Sequence, residues 1–313
     1  MNRLKKENVI VLIGPTAVGK TELSLQLAKK FRGEIISGDS MQIYRRMDIG
    51  TAKISPQEMQ VVPHHLIDIK NPEEDFSAAE FQQRVRGKMN EVKARGFLPM
   101  IVGGTGLYIQ SVLYDYQFTE AEGDEEYRLQ LEKRIAAEGV EQLFHELEWI
   151  DPISAEKIHP NNTRRVIRAL EIFHLTGKTM AEYQAEQQHE LLYDATIIGL
   201  TMDRDQLYER INRRVDIMMQ QGLLQEVKKL YDEGIRNVQS IQAIGYKELY
   251  DYFDGKCSLE EAVSLLKQNS RRYAKRQLTW FRNKMDVHWF DVTSLSELEK
   301  IERISQFVAG KLH

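Results

Sequence analysis

The sequence predicts an α/β fold in which a parallel sheet forms the core and a helical segment is inserted into it. Unbroken apolar runs at residues 9–13 and 97–102 are typical of parallel strands that are buried on both faces. Each run leads through a glycine-rich turn into a segment with helical spacing. Farther along, strand-like runs give way to a stretch rich in Glu, Gln and Ala. We therefore expect a core domain of residues 1–116 and 191–313 and a helical insertion domain of residues 117–190.

The first glycine-rich turn reads GPTAVGKT and fits G-x-x-x-x-G-K-[ST], the phosphate-binding loop. It comprises Gly14, Pro15, Thr16, Ala17, Val18, Gly19, Lys20 and Thr21. In such a loop the backbone N–H groups and the helix N-terminus bind an anion, the lysine contacts phosphate oxygens, and the threonine hydroxyl can hold Mg²⁺. The predicted core is therefore P-loop NTPase-like. The loop alone leaves open whether it binds ATP or another diphosphate.

A second short strand at residues 34–37 is followed by Asp39. The carboxyl ends of strands line the ligand crevice of open α/β sheets, so we expect Asp39 to lie near the phosphate-binding loop. A carboxylate there suits a general base or a water-mediated ligand of Mg²⁺, while capping of the following turn is the alternative. The strand at residues 97–102 leads into a glycine pair that permits close backbone approach, and Thr105 adds a hydroxyl there.

Two arginines mark the longest helical region, predicted at residues 205–234. Arg210 and Arg214 are four residues apart and could clamp a diphosphate, although pairing with neighbouring acids would explain them equally well. The other elements are expected at residues 22–31, 76–95, 107–114, 194–202, 259–281, 287–290 and 295–312.

Two basic segments could bind nucleic acid. Arg164, Arg165 and Arg168 lie in a stretch of the insertion that contains no acid. Residues 271–284 carry six basic side chains with interleaved aromatic residues, which suit phosphates and base stacking. A solvated helix surface is the alternative for the first segment. Aromatic residues in the core with solvated basic neighbours are the alternative for the second.

Composition excludes several classes of protein. The formal net charge of -4 gives no global basic signal, so a nucleic-acid site would be a local patch. One cysteine, Cys257, excludes disulfides and a cysteine-rich zinc module and fits a reducing, cytoplasmic setting. No apolar run approaches the roughly 20 residues of a membrane span, and no stretch indicates a protein partner. The strand at residues 97–102 does not end in a Walker-type Asp, and no Asn-Lys-x-Asp motif occurs, so ordinary ATPases and GTPases fit badly.

The chain closely resembles the bacterial tRNA dimethylallyltransferase (tRNA isopentenyltransferase) family over nearly its whole length. The motifs that carry the resemblance are GPTAVGKT (14–21), GDSMQIYRRMDIGTAK (38–53), PHHLID (63–68), VGGTGLY (102–108), HPNNTRRVIRALE (159–171), RINRRVDIM (210–218), QAIGYKE (242–248) and YAKRQLTWFR (273–282). One departure is Val18, where family members often have Ser. We expect little effect, because the loop binds largely through backbone N–H groups.

The resemblance implies transfer of the dimethylallyl group of dimethylallyl diphosphate to N6 of the adenine just 3′ of the tRNA anticodon, position 37 of the tRNA. It implies that Lys20 and Arg214 stabilise the leaving diphosphate, with Arg210 as a further partner, and that Thr21 holds Mg²⁺. Asp39 would accept the N6 proton as general base.

The resemblance also implies a large tRNA interface and a target base that is flipped out of its stack. Thr16 and Thr105 would position substrate or the flipped base. The implied contacts to the anticodon stem-loop are Asp39, Ser40, Met41, Gln42, Thr105, Arg164, Arg165, Arg168, Gly245, Tyr246, Lys247, Lys275, Arg276, Gln277, Trp280 and Arg282. The alternatives are a P-loop kinase of a small metabolite, a non-catalytic RNA-binding module, and an enzyme that prenylates free adenine nucleotides.

Overall fold

The computed structural model describes residues 6–118, 124–187 and 190–312. The chain divides into two compact units, one formed by Met1–Tyr114 with Leu191–His313 and the other by Asp115–Glu190. Each unit has a hydrophobic core of its own.

Six described strands form one parallel sheet in the larger unit, which confirms the predicted α/β class. They are β1 (Asn8–Ile13), β2 (Gly33–Gly38), β3 (His64–His65), β4 (Leu98–Gly103), β5 (Asp194–Thr201) and β6 (His288–Asp291), in the order β3-β2-β4-β1-β5-β6. The central strand β1 is buried on both faces because its alternate side chains serve different cores. Val9, Val11 and Ile13 pack into one core, and Ile10 and Leu12 pack into the other.

Helices cover both faces of this sheet. They are α1 (Lys20–Phe31), α2 (Pro56–Val61), α3 (Ala78–Ala94), α4 (Gly106–Leu113), α10 (Arg204–Gln220), α11 (Leu223–Asp232), α12 (Tyr246–Phe253), α13 (Leu259–Lys284) and α14 (Glu297–Ala309). Buried residues of α3 and α4 belong to one core, whereas those of α1 and α14 belong to the other. No helix that the structure describes is both long enough and apolar enough to cross a membrane.

Two elements differ from the sequence-based expectation. The short helix α2 was not predicted, although Ser55 and Glu58 form a capping box with Pro56 at the first helical position. The helical region predicted at residues 205–234 is two helices, α10 and α11. The break falls at Gly222, whose φ of 102° is accessible chiefly to glycine.

The strand register brings three turns to the same edge of the sheet. Ile13 pairs with Gly103, and Gly103 pairs with Gly38, so β1, β4 and β2 end at the same level. A Cβ atom on Gly103 would lie 2.3 Å from the carbonyl group of Gly38, which means that only glycine allows this approach. The Thr105 N–H donates to the Gly38 carbonyl at 3.2 Å. The residues after β2 and β4 are therefore held next to each other.

The smaller unit is helical in its described part. Its helices are α5 (Glu125–Glu138), α6 (Val140–Ile150), α7 (Pro152–Ala155), α8 (Thr163–Thr176) and α9 (Met180–Ala185). Leu131, Leu143, Leu147, Val166 and Leu170 are all almost fully buried and form the centre of its core. The helices of this unit therefore bury their apolar side chains against one another.

Candidate active site

The phosphate-binding loop joins β1 to α1, and its lysine is held at the loop. Lys20 Nζ donates to the carbonyl oxygens of Gly14 at 2.9 Å and Pro15 at 2.8 Å. Burial and the nearby positive charge of Arg214 lower the pKa of Lys20 to about 7, and the Asp39 carboxylate partly opposes this shift. The ammonium group therefore titrates near neutral pH.

The carboxylate of Asp39 lies at the end of β2, as the sequence predicted. Its Oδ1 accepts from the backbone N–H groups of Met41 at 2.8 Å and Gln42 at 3.3 Å, which orients the side chain in a turn. The next residue is tied to the turn after β4, because the Ser40 N–H donates to Thr105 Oγ1 at 3.2 Å. The turn-capping bonds use one carboxylate oxygen of Asp39 and hold the other in a defined direction.

Helix α13 connects the loops through Gln277 and Tyr273. Gln277 Oε1 accepts from the Thr16 N–H at 2.9 Å, and its Nε2 donates to the Gly104 carbonyl at 3.0 Å. The Tyr273 hydroxyl lies near the side chains of Thr105 and Gln277. Burial and the charge of Asp39 raise the pKa of Tyr273 to about 12, so its hydroxyl is neutral at physiological pH. The turns after β1 and β4 are thus joined by one buried amide.

Two cavities meet at this edge of the sheet. The larger has a volume of about 520 Å³ and is lined by the phosphate-binding loop, and the smaller has a volume of about 310 Å³. The residues that line both cavities are Thr16, Asp39, Thr51, Ala52, Arg214 and Tyr273. A molecule in one cavity would therefore meet a molecule in the other beside Asp39.

Helix α10 gives the two cavities different chemical characters. Arg210, Arg213 and Arg214 line the larger cavity together with Lys20, so that cavity suits an anion. Burial lowers the pKa of Arg214, but a guanidinium remains charged in proteins. The smaller cavity has an apolar wall formed by Ile211, Val215, Met218, Leu223 and Leu266. Helix α10 thus contributes three arginines to the larger cavity, and mostly aliphatic groups together with Arg214 to the smaller one.

Several residues predicted to contact tRNA line these cavities. Ser40, Met41, Gly245, Lys247 and Arg276 line the smaller one. Gln42 lines the larger one, and its side-chain amide donates to the backbone carbonyls of Thr51 and Ala52 at 3.3 Å.

Other predicted tRNA contacts have structural partners. Tyr246 is fully buried and Gln277 is 5% exposed, so neither side chain offers a surface to a macromolecule. Trp280 is half-buried against Gly106, where an added Cβ atom would lie 2.1 Å from the indole. Arg282 lies over the ring of Trp289 at 5.6 Å. Gln277, Trp280 and Arg282 lie on α13, and Tyr246 lies at the start of α12. The sequence pattern of these two helices did not show which of their side chains face the interior.

A basic groove follows the outer face of α13. Arg272, Lys275, Arg276, Trp280 and Lys284 line a groove of about 550 Å³. Four of these five side chains are cationic, and successive members are three, one, four and four residues apart, which places them on one face of the helix. The groove offers a line of positive charge to a polyanion.

The predicted arginines of the insertion lie on α8. Arg164 and Arg165 are exposed. Arg168 donates to the buried carboxylate of Glu171 at 2.7 Å, and Arg128 donates to the same carboxylate at 2.7 Å. Arg164 and Arg165 therefore face solvent, while Arg168 is partly exposed and pairs with a buried carboxylate of its own unit.

Within the described residues no group of three or more His, Cys, Asp or Glu side chains is arranged to hold a metal ion. Thr21 and Asp39 both line the larger cavity. The hydroxyl of Thr21 and a diphosphate would together suit Mg²⁺, which keeps several waters and takes few protein ligands at phosphate sites. The residues present fit a metal that arrives with an anion.

Tyr273 and Arg213 line the cavities but were not among the predicted site residues. Ser270, Tyr273 and Gln277 are three and four residues apart on α13, and the first two line the smaller cavity. This polar stripe on a long helix was the available signal. Arg213 lies between Arg210 and Arg214 in the sequence. Whether its side chain reaches the larger cavity depends on how α10 is rotated about its axis.

Comparison with known proteins shows similarity over the whole chain. The family model described as IPP transferase matches residues 42–284. The tRNA dimethylallyltransferases of Bacillus cereus (strain AH187) and Bacillus anthracis (strain CDC 684 / NRRL 3495) are each 65% identical over 312 residues, which cover 100% of this chain and 98% of each relative.

Solved structures agree with this assignment. The full-length tRNA isopentenylpyrophosphate transferase of Bacillus halodurans is 56% identical, with a TM-score of 0.75 over 98% of this chain and 97% of that chain. A eukaryotic dimethylallyltransferase crystallised acting on tRNA is 32% identical, with a TM-score of 0.81 over 97% of this chain and 80% of that chain. The chain therefore belongs to the tRNA dimethylallyltransferase family.

Proposed function

We propose that this protein transfers the dimethylallyl group of dimethylallyl diphosphate to the exocyclic N6 of the adenine 3′ of a tRNA anticodon and releases diphosphate. One observation carries the proposal. Asp39 and Arg214 line both a cation-rich cavity and an apolar-walled cavity, so a general base and a leaving-group partner lie where two substrates would meet.

The larger cavity is the proposed donor site. Its backbone N–H groups at the start of α1, together with Lys20, Arg210 and Arg214, would hold the diphosphate. Arg213 extends the same set of cations. Thr21 would provide a hydroxyl ligand to Mg²⁺, which when bound neutralises charge on the phosphate oxygens. We place ATP second as a ligand of this loop, because the neighbouring cavity has an apolar wall.

The smaller cavity is the proposed acceptor site. Its walls suit a flipped-out adenine, and its lining polar groups include Ser40, Gln242 and Lys247. N6 would form a bond to C1 of the dimethylallyl group while the C1–O bond breaks and its electron pair leaves with the diphosphate. Lys20 and Arg214 would stabilise that charge, and Asp39 would take the N6 proton. Thr105 would hold Ser40 beside Asp39.

Basic surfaces outside the cavities support tRNA as the acceptor. The groove on α13 that contains Lys275 and Arg276 carries a line of positive charge. The exposed Arg164 and Arg165 give the smaller unit a basic face of its own. We propose that both surfaces contact the anticodon stem-loop, and that the protein acts in the cytoplasm, where its tRNA substrate is made.

The test is incubation of the protein with unmodified tRNA and labelled dimethylallyl diphosphate. We expect label in the tRNA, and we expect Asp39→Ala to lower the transfer rate by roughly 10²- to 10⁴-fold, the usual contribution of a general base. Because the basic surfaces remain, the variant should bind tRNA with unchanged affinity. Filter binding measures that affinity beside the transfer assay.

Glu22→Gln is the matched control, because Glu22 lines the same cavity as Asp39 and the substitution also removes one negative charge. It should retain transfer. Label in products of ATP with none in tRNA would contradict the proposed reaction. Normal transfer by Asp39→Ala would contradict only the role of Asp39.

A further inference from the structure

Residues 48–53, here called the wall segment, form part of both cavities. Thr51 and Ala52 line the larger cavity, and Gly50, Thr51 and Ala52 line the smaller one. The segment belongs to no described helix or strand, and Ala52 has a left-handed backbone with φ of 48°. Regular secondary structure therefore does not hold this part of the wall in place, and contacts with neighbouring elements must do so.

The carboxylate of Glu226 on α11 makes the main contact with this segment. Its Oε2 accepts from the backbone N–H groups of Asp48 at 2.9 Å and Ile49 at 2.8 Å. Its Oε1 accepts from the Gly50 N–H at 3.0 Å. Three successive backbone amides thus converge on one anion, and hydrogen bonds to an ionised acceptor are among the stronger ones in proteins.

Tyr246 on α12 completes this arrangement. Its hydroxyl donates to Glu226 Oε1 at 2.6 Å, and burial beside that carboxylate raises the pKa of Tyr246 well above its ordinary value. Its ring lies directly against Gly50, where an added Cβ atom would be 2.5 Å from the ring. The backbone of the wall segment therefore rests on the ring while the hydroxyl holds the carboxylate.

We propose that Glu226 is a positioning residue for the transfer reaction. It holds the wall segment through three backbone amides, with Tyr246 fixing its carboxylate, and so sets the alignment of acceptor and donor. The proposal rests on the proposed function, because alignment matters only if two substrates meet between the cavities. Neither Glu226 nor Tyr246 lines either cavity, so both act through the backbone of residues 48–52.

The far end of the wall segment has a separate anchor. Lys53 Nζ is buried and donates to Asp48 Oδ1 at 2.6 Å, to Asp68 Oδ1 at 2.6 Å and to the Tyr44 carbonyl at 2.7 Å. These bonds do not involve Glu226. Loss of the Glu226 contact should therefore loosen the wall at Gly50 without unfolding the whole segment.

The variant that tests the proposal is Glu226→Gln, which keeps the size of the side chain. Both carboxylate oxygens of Glu226 accept from backbone N–H groups, whereas an amide has only one acceptor oxygen. The NH₂ group of the glutamine would face an N–H group and could not accept a hydrogen bond from it. We expect kcat to fall by roughly tenfold to a hundredfold, as misplacements of about 1 Å do. The Kd for inorganic diphosphate, measured by calorimetry, should change by less than about twofold because the anion-binding groups are untouched. Hydrogen exchange at the amides of residues 48–50 should become faster.

Glu233→Gln is the matched control on the same part of the chain. Glu233 pairs with Arg46, which precedes the wall segment, and both side chains are about half exposed. This variant should match the wild type in kcat and in exchange at residues 48–50. Tyr246→Phe is the graded variant, because it removes one hydrogen bond and leaves the carboxylate in place. It should give a smaller loss of kcat than Glu226→Gln.

Equal kcat for Glu226→Gln and Glu233→Gln would overturn the proposal. Parallel losses in kcat and diphosphate affinity would also overturn it, because they would indicate general damage to the site. If Glu226→Gln does not fold, Tyr246→Phe decides: faster exchange at residues 48–50 with lower kcat supports the proposal, and wild-type behaviour rejects it. A wild-type protein that transfers nothing to tRNA would instead reject the proposed function, whereas the exchange measurement still reports on the Glu226 contact.

Discussion

Lys20 is a lysine whose environment makes it sensitive to anions. Burial and the positive charge of the Arg214 guanidinium both favour its neutral amine, although Nζ donates to two backbone carbonyl groups. A bound diphosphate would bring negative charge to the same place and would favour the ammonium. The pKa of Lys20, about 7 in the structure, should therefore rise when an anion enters the cavity.

We expect diphosphate binding to be coupled to proton uptake by Lys20. Between its pKa of about 7 in the free protein and the higher pKa in the complex, the lysine is neutral when free and protonated when bound. The affinity contributed by Lys20 is then complete below pH 7 and falls as pH rises, by up to about tenfold per pH unit. Calorimetry at pH 8 in buffers with different ionisation enthalpies measures the protons taken up.

Lys20→Met is the control for this measurement. Protons that belong to the diphosphate itself contribute equally to both proteins, so the difference between them isolates Lys20. The variant should bind more weakly and take up fewer protons at pH 8. Equal proton uptake by the two proteins would show that Lys20 does not change its protonation state when the anion binds.

The position of Asp39 could be predicted from the sequence, whereas that of Tyr273 could not. Asp39 follows a short apolar run, and parallel strands that end at one level bring such residues to one edge. Tyr273 belongs to a helix with polar residues on more than one face, and its direction depends on how α13 packs against the sheet. The same reason explains why the sequence, which implied a tRNA contact for Gln277, did not predict that its side chain lies buried between two loops.

At the scale of elements, the edge that carries the site depends on the close approach of β2 and β4. Gly103 lies against the Gly38 carbonyl, one residue before Asp39. Gly103→Ala would place a methyl group 2.3 Å from that carbonyl and push the two strand ends apart. We expect a loss of roughly 1–3 kcal/mol in the free energy of unfolding, as for other overpacked sites. Transfer should fall further, because Asp39 moves with its strand.

Gly87→Ala provides the comparison for Gly103→Ala. Gly87 is exposed in the interior of α3, and nothing lies within 4 Å of an added Cβ atom. The same substitution should therefore stabilise the protein by up to about 1 kcal/mol and leave transfer unchanged. Thermal unfolding and turnover of both variants give the two measurements. A Gly103→Ala protein as active and stable as Gly87→Ala would mean that the strand ends separate without cost.

Elements with a strong periodic pattern could be predicted, and those defined by a cap or a single turn could not. The unbroken apolar runs at residues 9–13 and 97–102 form β1 and β4, which are mostly buried. The break between α10 and α11 is different, because the apolar stripe continues through it and only the backbone of Gly222 marks it. Helix α2 is too short to show a helical period, so its signals were the capping residues Ser55 and Glu58 and the intervening Pro56.

At the scale of the molecule, the insertion leaves and re-enters the larger unit at neighbouring points. Tyr114 forms an antiparallel bridge with Leu191, and the Leu192 N–H donates to the Leu113 carbonyl at 2.8 Å. The two chain ends that flank Asp115–Glu190 are therefore within reach of a short linker. The smaller unit has its own core, and the residues that form the two cores of the sheet all lie outside Asp115–Glu190.

This geometry allows the proposed role of the insertion to be tested by deletion. We expect a protein in which a short Gly-Ser linker replaces residues 115–190 to fold and to bind inorganic diphosphate with nearly unchanged affinity. Its tRNA affinity should fall by about a hundredfold or more, since each lost arginine–phosphate contact costs roughly 1–3 kcal/mol. The double variant Arg164→Gln/Arg165→Gln, with the insertion intact, should show a smaller loss and a weaker dependence on salt. Wild-type tRNA affinity in the deletion protein would assign all binding to the larger unit and to the groove on α13.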